Sequence, residues 1–284
     1  MALIEEYRRS LKTPEAEEAL DLVLYRPIAF LFVKTIYRLP ITPNQVTVLS
    51  MLAGLLAGWE FSIASSSAYA WGAFWYFVAN VLDCSDGQLA RLQQSGTLLG
   101  RLVDGIADYV CGVAVLIGIG LRLSVNGAGI WWFVVAAAVS SAIHAASFDY
   151  YQNEFTSTAR KKESFGDREI KKFREVIRRM REERRDVVKV FFLNIYLWYL
   201  DLQKKSGGRT SVRLFDPEMY RNRNAAMIRF WSLLGPTTNR TLLIICALLG
   251  RVDWYLWIVV LPWNAWFLVC QMMQRRIHRR LEVR

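Results

Sequence analysis

Apolar residues fall in six blocks along the chain, separated by short polar turns and by one long charged stretch. We expect each block to form a membrane-spanning helix, because helices and closed barrels are the structures that satisfy backbone groups in lipid. The fifth block is short, and it extends back towards Ala225 across a break at Gly235–Pro236. The predicted spans are 44–64, 69–92, 99–121, 128–152, 237–250 and 252–274.

Two stretches outside these blocks have patterns of their own. Residues 21–39 are apolar but are interrupted by charged residues and a proline, which favours an amphipathic helix lying in the membrane interface. Thr42 can cap the first span, with Pro43 at its first helical position. The charged stretch between the fourth and fifth blocks is expected to hold a helix at 166–188 and an aromatic segment at 190–202. This aromatic segment is too short to span a membrane.

These patterns predict an all-α integral membrane protein: a six-helix bundle, an N-terminal interfacial helix and a cytoplasmic helical insert. The expected divisions are an N-terminal arm with its interfacial helix (1–43), a catalytic transmembrane core (44–152), a basic insert (153–229), and the last two spans with a basic tail (230–284).

Composition and charge support the membrane interpretation. Hydrophobic residues make up 54% of the 284 residues, and the net charge is +11. The segment 153–229 alone holds 20 of the 36 lysines and arginines, so it and both termini are expected on the cytoplasmic side. We find no nucleic-acid-binding motif. All four cysteines lie within apolar stretches and are expected to be packing residues.

Four aspartates lie in the second and third predicted spans, where an uncompensated carboxylate is costly. Asp83 and Asp86 are three residues apart on one helix, and Asp104 and Asp108 are four apart on the next. Each pair therefore faces one way, and a turn near 93–96 makes the two helices antiparallel. We expect Asp83 to meet Asp108 and Asp86 to meet Asp104.

Four carboxylates at low dielectric cannot all stay ionised without cations. Oxygen ligands favour hard divalent ions, so we predict two Mg²⁺ or Mn²⁺ ions held by the four aspartates. The small residues Gly87, Ala90 and Gly100 allow close helix approach or leave a slot for a flat ligand. Arg91 supplies a cation suited to phosphate oxygens.

The whole pattern is D-x2-D-G-x2-A-R-x8-G-x3-D-x3-D, running from Asp83 to Asp108. It resembles the signature of the CDP-alcohol phosphotransferase family at every fixed position. The resemblance implies six spans, homodimers and a cavity open to the cytoplasm. It also implies that Asp108 is the general base, acting beside Asp104 in the catalytic group. Gly87 and Ala90 would line a cytidine slot, with Gly100 nearby, and Arg91 would contact the diphosphate.

Two further residues are candidates for substrate binding. Asn44 lies in a segment similar to the one that opens the first span of this family; it either faces the nucleotide or belongs to a plain helix start. Ser147–Glu154 has Tyr150 and Gln152 where members acting on sugar phosphates have basic residues. Arg160, Lys161, Arg229 and Arg240 are candidates to compensate for those lost charges. The alternative for Arg240 is extension to the membrane surface. His144 is expected to be a hydrogen-bonded interior residue.

The predicted function is phospholipid synthesis. A phosphatidyl group passes from CDP-diacylglycerol, or its ether analogue, to a small polar alcohol, and CMP is released. An alternative reverses the roles, with a CDP-linked polar alcohol donating to diacylglycerol. A further alternative, of another class, is a divalent-cation or proton-coupled transporter, since acids within a membrane often mark ion paths. The apolar residues after Tyr109 argue against such a path.

Overall fold

The computed structural model describes residues 2–11, 16–65, 67–126, 129–159 and 217–282, with a few more between 174 and 197. Every regular element in these ranges is helical, which confirms the all-α prediction. Most of the basic insert, including the predicted helix 166–188 and the aromatic segment 190–202, lies outside the described residues.

The helices follow the predicted apolar blocks closely. A π-helical turn, Asp21–Tyr25, leads into the helix that begins at Arg26. A second one, Val259–Trp263, contains Pro262 and joins the helix that ends at Ile258 to the one that begins at Asn264. The α-helices of the described residues are α1 (Ala2–Ser10), α2 (Arg26–Ile36), α3 (Pro43–Ser62), α4 (Ala68–Leu92), α5 (Leu98–Leu123), α6 (Ile130–Ala159), α7 (Pro217–Ser232), α8 (Pro236–Leu248), α9 (Val252–Ile258) and α10 (Asn264–Glu282).

Three of these helical stretches are long and apolar enough to cross a membrane: Gly100–Leu123, Ile130–Thr158 and Val252–Leu281. Helices also occupy the other predicted spans, but α8 has only 13 residues, and α4 carries charged residues in its second half. The structure therefore supports an all-helical membrane protein with three candidate spans. The six-span arrangement and the interfacial position of α2 stay predictions.

The start of α3 confirms the predicted helix cap. The Thr42 side chain accepts a hydrogen bond from the Gln45 backbone, and the Gln45 side chain accepts one from the Thr42 backbone, with Pro43 in the first turn. Two backbone donors that the helix itself cannot satisfy are paired in this way. This reciprocal cap sets where α3 begins.

Glycines bring α3 and α5 into close contact. A Cβ atom at Gly118 would lie 2.0 Å from the Gly58 carbonyl oxygen, and one at Gly54 would lie 2.3 Å from the Cys111 sulfur. Small residues at such positions let two helix backbones approach within packing distance. Since α3 also packs along α4, it contacts both of the helices that carry the four aspartates.

The chain forms two compact units. The first comprises Met1–His144 and Ser232–Leu268, and the second comprises Ala145–Trp231 and Val269–Arg284. In the second unit, the Gln274 amide donates to Asn224 (2.8 Å) and accepts from the Trp231 indole (3.2 Å). The four-part division predicted from the sequence stays a prediction. All four cysteines are buried and outside disulfides, as expected of packing residues.

Candidate metal centre and active site

A short turn joins α4 and α5 into a helical hairpin, and both helices pack against α3. Helix α4 ends at Leu92, and α5 begins at Leu98 after Thr97, whose hydroxyl accepts a hydrogen bond from the Gly100 backbone at 2.9 Å. The hairpin brings together three of the four predicted carboxylates. Asp83, Asp86 and Asp104 each place one oxygen within 4.8 Å of the others.

The fourth carboxylate, Asp108, is held by an arginine from a distant helix. Arg240 on α8 donates from Nη2 to Asp108 Oδ1 at 2.6 Å, and from Nη1 to Asp83 Oδ2 at 3.0 Å and to Asn80 Oδ1 at 2.8 Å. The Arg240 side chain is 12% exposed. Arg240 therefore turns into the acidic cluster, which argues against its extending to the membrane surface.

The other oxygens of the cluster are unequally satisfied. The Thr47 hydroxyl on α3 donates to Asp86, whose carboxylate is buried. Asp104 Oδ1 is buried with no hydrogen-bond partner among the described residues. An all-oxygen donor set with an orphaned buried oxygen fits a hard divalent cation. Asp83, Asp86 and Asp104 are thus suited to hold a metal, with Asp108 one helical turn beyond.

The predicted nucleotide-binding residues lie on the same hairpin. Arg91 Nε donates to the carbonyl oxygen of Ser10 at the end of α1. Its Nη2 is buried without a hydrogen-bond partner in the part of the chain that the structure describes. Gly87 lies beside this guanidinium, since a Cβ there would be 3.3 Å from Arg91 Nη2. Ala90 is partly buried next to Arg91 on α4.

Asn44, from the start of α3, reaches the beginning of α5. A Cβ at Gly100 would lie 3.0 Å from the Asn44 side-chain oxygen. The structure therefore brings two predicted substrate-binding residues, Asn44 and Gly100, together from different helices. Their proximity is consistent with either interpretation of Asn44, as a nucleotide contact or as part of a helix start.

Sequence reasoning missed a group of buried acids before α2. The chain before the predicted interfacial helix was expected to be an N-terminal arm, yet Glu18 is only 2% exposed. Its Oε1 accepts from the Thr237 backbone at 3.0 Å, and its Oε2 accepts from the Thr238 backbone and hydroxyl, each at 2.7 Å. Burial, together with the charge of Asp21, raises the pKa of Glu18 to about 7, although the hydrogen bonds from Thr238 and Thr237 act in the opposite direction.

Thr47 and Asn80 were also missed. Asn80 precedes Asp83 by three residues and so shares its helix face, a signal that could have identified it. Thr47 likewise follows Asn44 by three residues on α3 and so shares the helix face of Asn44. The contacts of Glu18 had no comparable signal, because its partners are more than 200 residues away in sequence.

His144 has the environment predicted for it. The ring is fully buried, and Nε2 lies 3.0 Å from Asn264 Oδ1. Asn264 in turn donates to the Ser140 hydroxyl at 2.8 Å. The interpretation of His144 as a hydrogen-bonded interior residue is confirmed.

Residues 40–174 match the family model described as CDP-alcohol phosphatidyltransferase, which confirms the resemblance. A phosphatidylinositol phosphate synthase of Corynebacterium glutamicum is 31% identical over 125 residues, covering 44% of this chain and 50% of the relative. An archaetidylinositol phosphate synthase of Pyrococcus horikoshii is 37% identical over 92 residues, covering 31% and 45%.

A putative cardiolipin synthase of Mycobacterium tuberculosis is 30% identical over 105 residues, covering 37% of this chain and 47% of the relative. The chain thus spans about half the length of these curated relatives. The family match and the three apolar helices together indicate an integral membrane protein.

Proposed function

We propose that the protein transfers a phosphatidyl group from CDP-diacylglycerol, or its ether analogue, to a small polar alcohol and releases CMP. One observation carries this proposal: three carboxylates converge within 4.8 Å, next to an arginine-held Asp108, on the hairpin that bears the family pattern. The first three acids provide the ligands for a cation, and Asp108 provides a base beside them.

Two Mg²⁺ or Mn²⁺ ions, held by Asp83, Asp86, Asp104 and Asp108, would neutralise the donor diphosphate and the charge that develops at phosphorus. Gly87 and Ala90 border the proposed cytidine slot, with Asn44 and Gly100 at its other side. Arg91 Nη2 is buried without a protein acceptor among the described residues, so it can donate to a diphosphate oxygen.

Asp108 is the proposed general base. Arg240 holds one of its oxygens at 2.6 Å, which orients the carboxylate and leaves the other oxygen to accept the proton of the acceptor hydroxyl. The acceptor oxygen forms a bond to the phosphatidyl phosphorus, and the bond from phosphorus to the CMP oxygen breaks. CMP leaves with the bonding electron pair, and the proton stays on Asp108.

The acceptor is proposed to be an uncharged alcohol. Two relatives are named for products that contain inositol phosphate. This chain has Tyr150 and Gln152 in place of two basic residues, and Arg240 is already paired with Asp83 and Asp108. A dianionic acceptor would therefore meet less compensating charge here.

Orientation and assembly complete the proposal. Helix α10 ends in four basic residues, Arg275, Arg276, Arg279 and Arg280, and residues 153–229 are also strongly basic. This asymmetry favours cytoplasmic termini and an active site that opens to the cytoplasm. The homodimer rests on the family resemblance alone.

The test is CMP release by the purified protein. Labelled CDP-diacylglycerol and Mn²⁺ would be incubated with a panel of free alcohols and sugar phosphates, and a parallel reaction would pair CDP-linked alcohols with diacylglycerol. We expect turnover with CDP-diacylglycerol and a free alcohol. Preference for a sugar phosphate would overturn the acceptor assignment, turnover in the parallel reaction alone would reverse the donor direction, and no CMP release from any pair would refute the proposal.

A further inference from the structure

Three side chains of the segment before α2 contact the beginning of α8. Glu18 accepts from the backbones of Thr237 and Thr238, as described above. The Thr237 hydroxyl donates to Asp21 Oδ1 at 3.0 Å, and the Tyr25 hydroxyl lies 2.9 Å from the Thr241 hydroxyl. The first two turns of α8 are therefore held from one side by an N-terminal segment that belongs to the same compact unit.

The Glu18 contact depends on a glycine. The carboxyl carbon of Glu18 would lie 2.2 Å from a Cβ at Gly235, and its two oxygens 2.4 and 2.5 Å away. A side chain at 235 would thus occupy the space of the carboxylate. Without that side chain, both Glu18 oxygens reach helix N–H groups that have no partner within the helix, at the end where a negative charge is favoured.

Arg240 lies one turn further along α8. It follows Thr237 by three residues, so the two share a helix face. Its guanidinium makes a 2.6 Å contact with Asp108 and a 3.0 Å contact with Asp83. Contacts this short are sensitive to the depth and rotation of α8, because a sliding movement of about 1 Å is enough to break a well-aligned hydrogen bond.

We infer that Glu18 is a positioning residue for the active site: by fixing the start of α8, it sets the Arg240 guanidinium against Asp108. Glu18 contacts neither the substrate nor the acidic cluster, and it acts through Arg240. The inference rests on the proposed function, since it assigns Arg240 the task of orienting the general base.

A double-mutant cycle in the full-length protein tests this inference. Glu18→Ala and Glu18→Gln would each be made in the wild-type protein and in Arg240→Gln, and kcat, donor KM and thermal unfolding would be measured. We expect Glu18→Ala to lower kcat roughly ten-fold or more, since it leaves buried donors unpaired next to a site where small displacements matter. Glu18→Gln keeps one acceptor oxygen and should lie between Glu18→Ala and wild type.

The effect on donor KM should be smaller than that on kcat, because the proposed diphosphate contacts lie on α4. In the Arg240→Gln background the Glu18 substitutions should have little further effect on kcat, since they act through a side chain already removed. The matched control is Glu17→Gln, which alters a neighbouring buried acid whose Oε2 lies 3.2 Å from Arg26. We expect Glu17→Gln to change kcat much less than Glu18→Ala.

Equal losses of kcat from Glu18 substitution in both backgrounds would overturn the inference, as would a loss that Glu17→Gln reproduces. If Glu18→Ala does not give folded protein, Glu18→Gln in the two backgrounds decides by the same criterion. Absence of CMP release from wild type would instead refute the proposed function, so the two failures are distinguishable.

Discussion

Buried or partly buried acids occur in two regions of the first unit, and their surroundings differ. On the α4–α5 hairpin, Asp83, Asp86 and Asp104 crowd one another, and an oxygen of Asp104 has no hydrogen-bond partner among the described residues. Before α2, both oxygens of Glu18 are paired with the start of α8. The hairpin carries negative charge that the described contacts leave under-compensated, whereas both carboxylate oxygens of Glu18 have hydrogen-bond donors.

This difference separates a binding site from a structural contact. A carboxylate whose two oxygens already accept hydrogen bonds from a helix N-terminus has its partners within the protein and little to gain from a ligand. Crowded carboxylates repel one another and gain from a divalent cation. The hairpin is therefore the region to test for metal, and the Glu18 region is the one to test for its effect on the position of α8.

Removal of metal is expected to have the largest effect on activity, and it should act through the hairpin and not through the Glu18 region. EDTA should abolish CMP release, and Mn²⁺ or Mg²⁺ should restore it. Mn²⁺ should also raise the unfolding temperature of the wild-type protein, since a ligand that binds only the folded state stabilises it. Asp104→Asn should remove most of this thermal shift.

The Glu18 region provides the matched control for the metal test. Glu18→Gln should keep the Mn²⁺-dependent thermal shift even though its starting stability differs, because Glu18 is not among the expected ligands. Activity that is indifferent to EDTA, or a thermal shift that survives Asp104→Asn unchanged, would contradict the assignment of the hairpin as the metal site.

Substitution of Asp108, the proposed general base, should have the next largest effect on activity. Asp108→Asn keeps the shape of the side chain but cannot take a proton at neutral pH, so kcat should fall by roughly 10²- to 10⁴-fold. CDP-donor binding, measured by equilibrium titration, should be largely spared. Asp253→Asn is the control, because Asp253 also pairs with an arginine, Arg251, at 2.8 Å. Turnover of Asp108→Asn within a few-fold of the Asp253→Asn value would exclude the base role.

The hairpin was predictable because its geometry is local. A helical period fixes which residues share a face, and a short turn fixes which residues of two neighbouring helices lie at the same depth. The spacing alone predicted Asp86 opposite Asp104 and Asp83 opposite Asp108, and the structure groups Asp86 and Asp104 together with Asp83. The cap at Thr42 followed from the same kind of local pattern.

The contacts of Arg240 and Glu18 were not predictable in this way. Arg240 lies 132 residues from Asp108, and Glu18 lies 219 residues from Thr237, so no periodicity relates them. A charged residue near a helix end also has a common alternative, extension to the membrane surface, and a polar N-terminus has another, a solvated arm. Packing between distant segments decides between these alternatives, and it is not visible in the order of residues.

The smallest expected effect is that of a glycine substitution, which tests the contact between Glu18 and the start of α8. Gly235→Ala places a Cβ within 2.5 Å of the Glu18 carboxylate, so it should lower the free energy of unfolding by about 1–3 kcal/mol through overpacking. Gly112→Ala is the control: a Cβ there meets nothing within 4 Å, and alanine in a helix is favoured over glycine by about 1 kcal/mol. Thermal unfolding in detergent should therefore move in opposite directions for the two variants. Equal stability would show that Glu18 can leave Gly235 without cost, and α8 would then need another contact to fix its start.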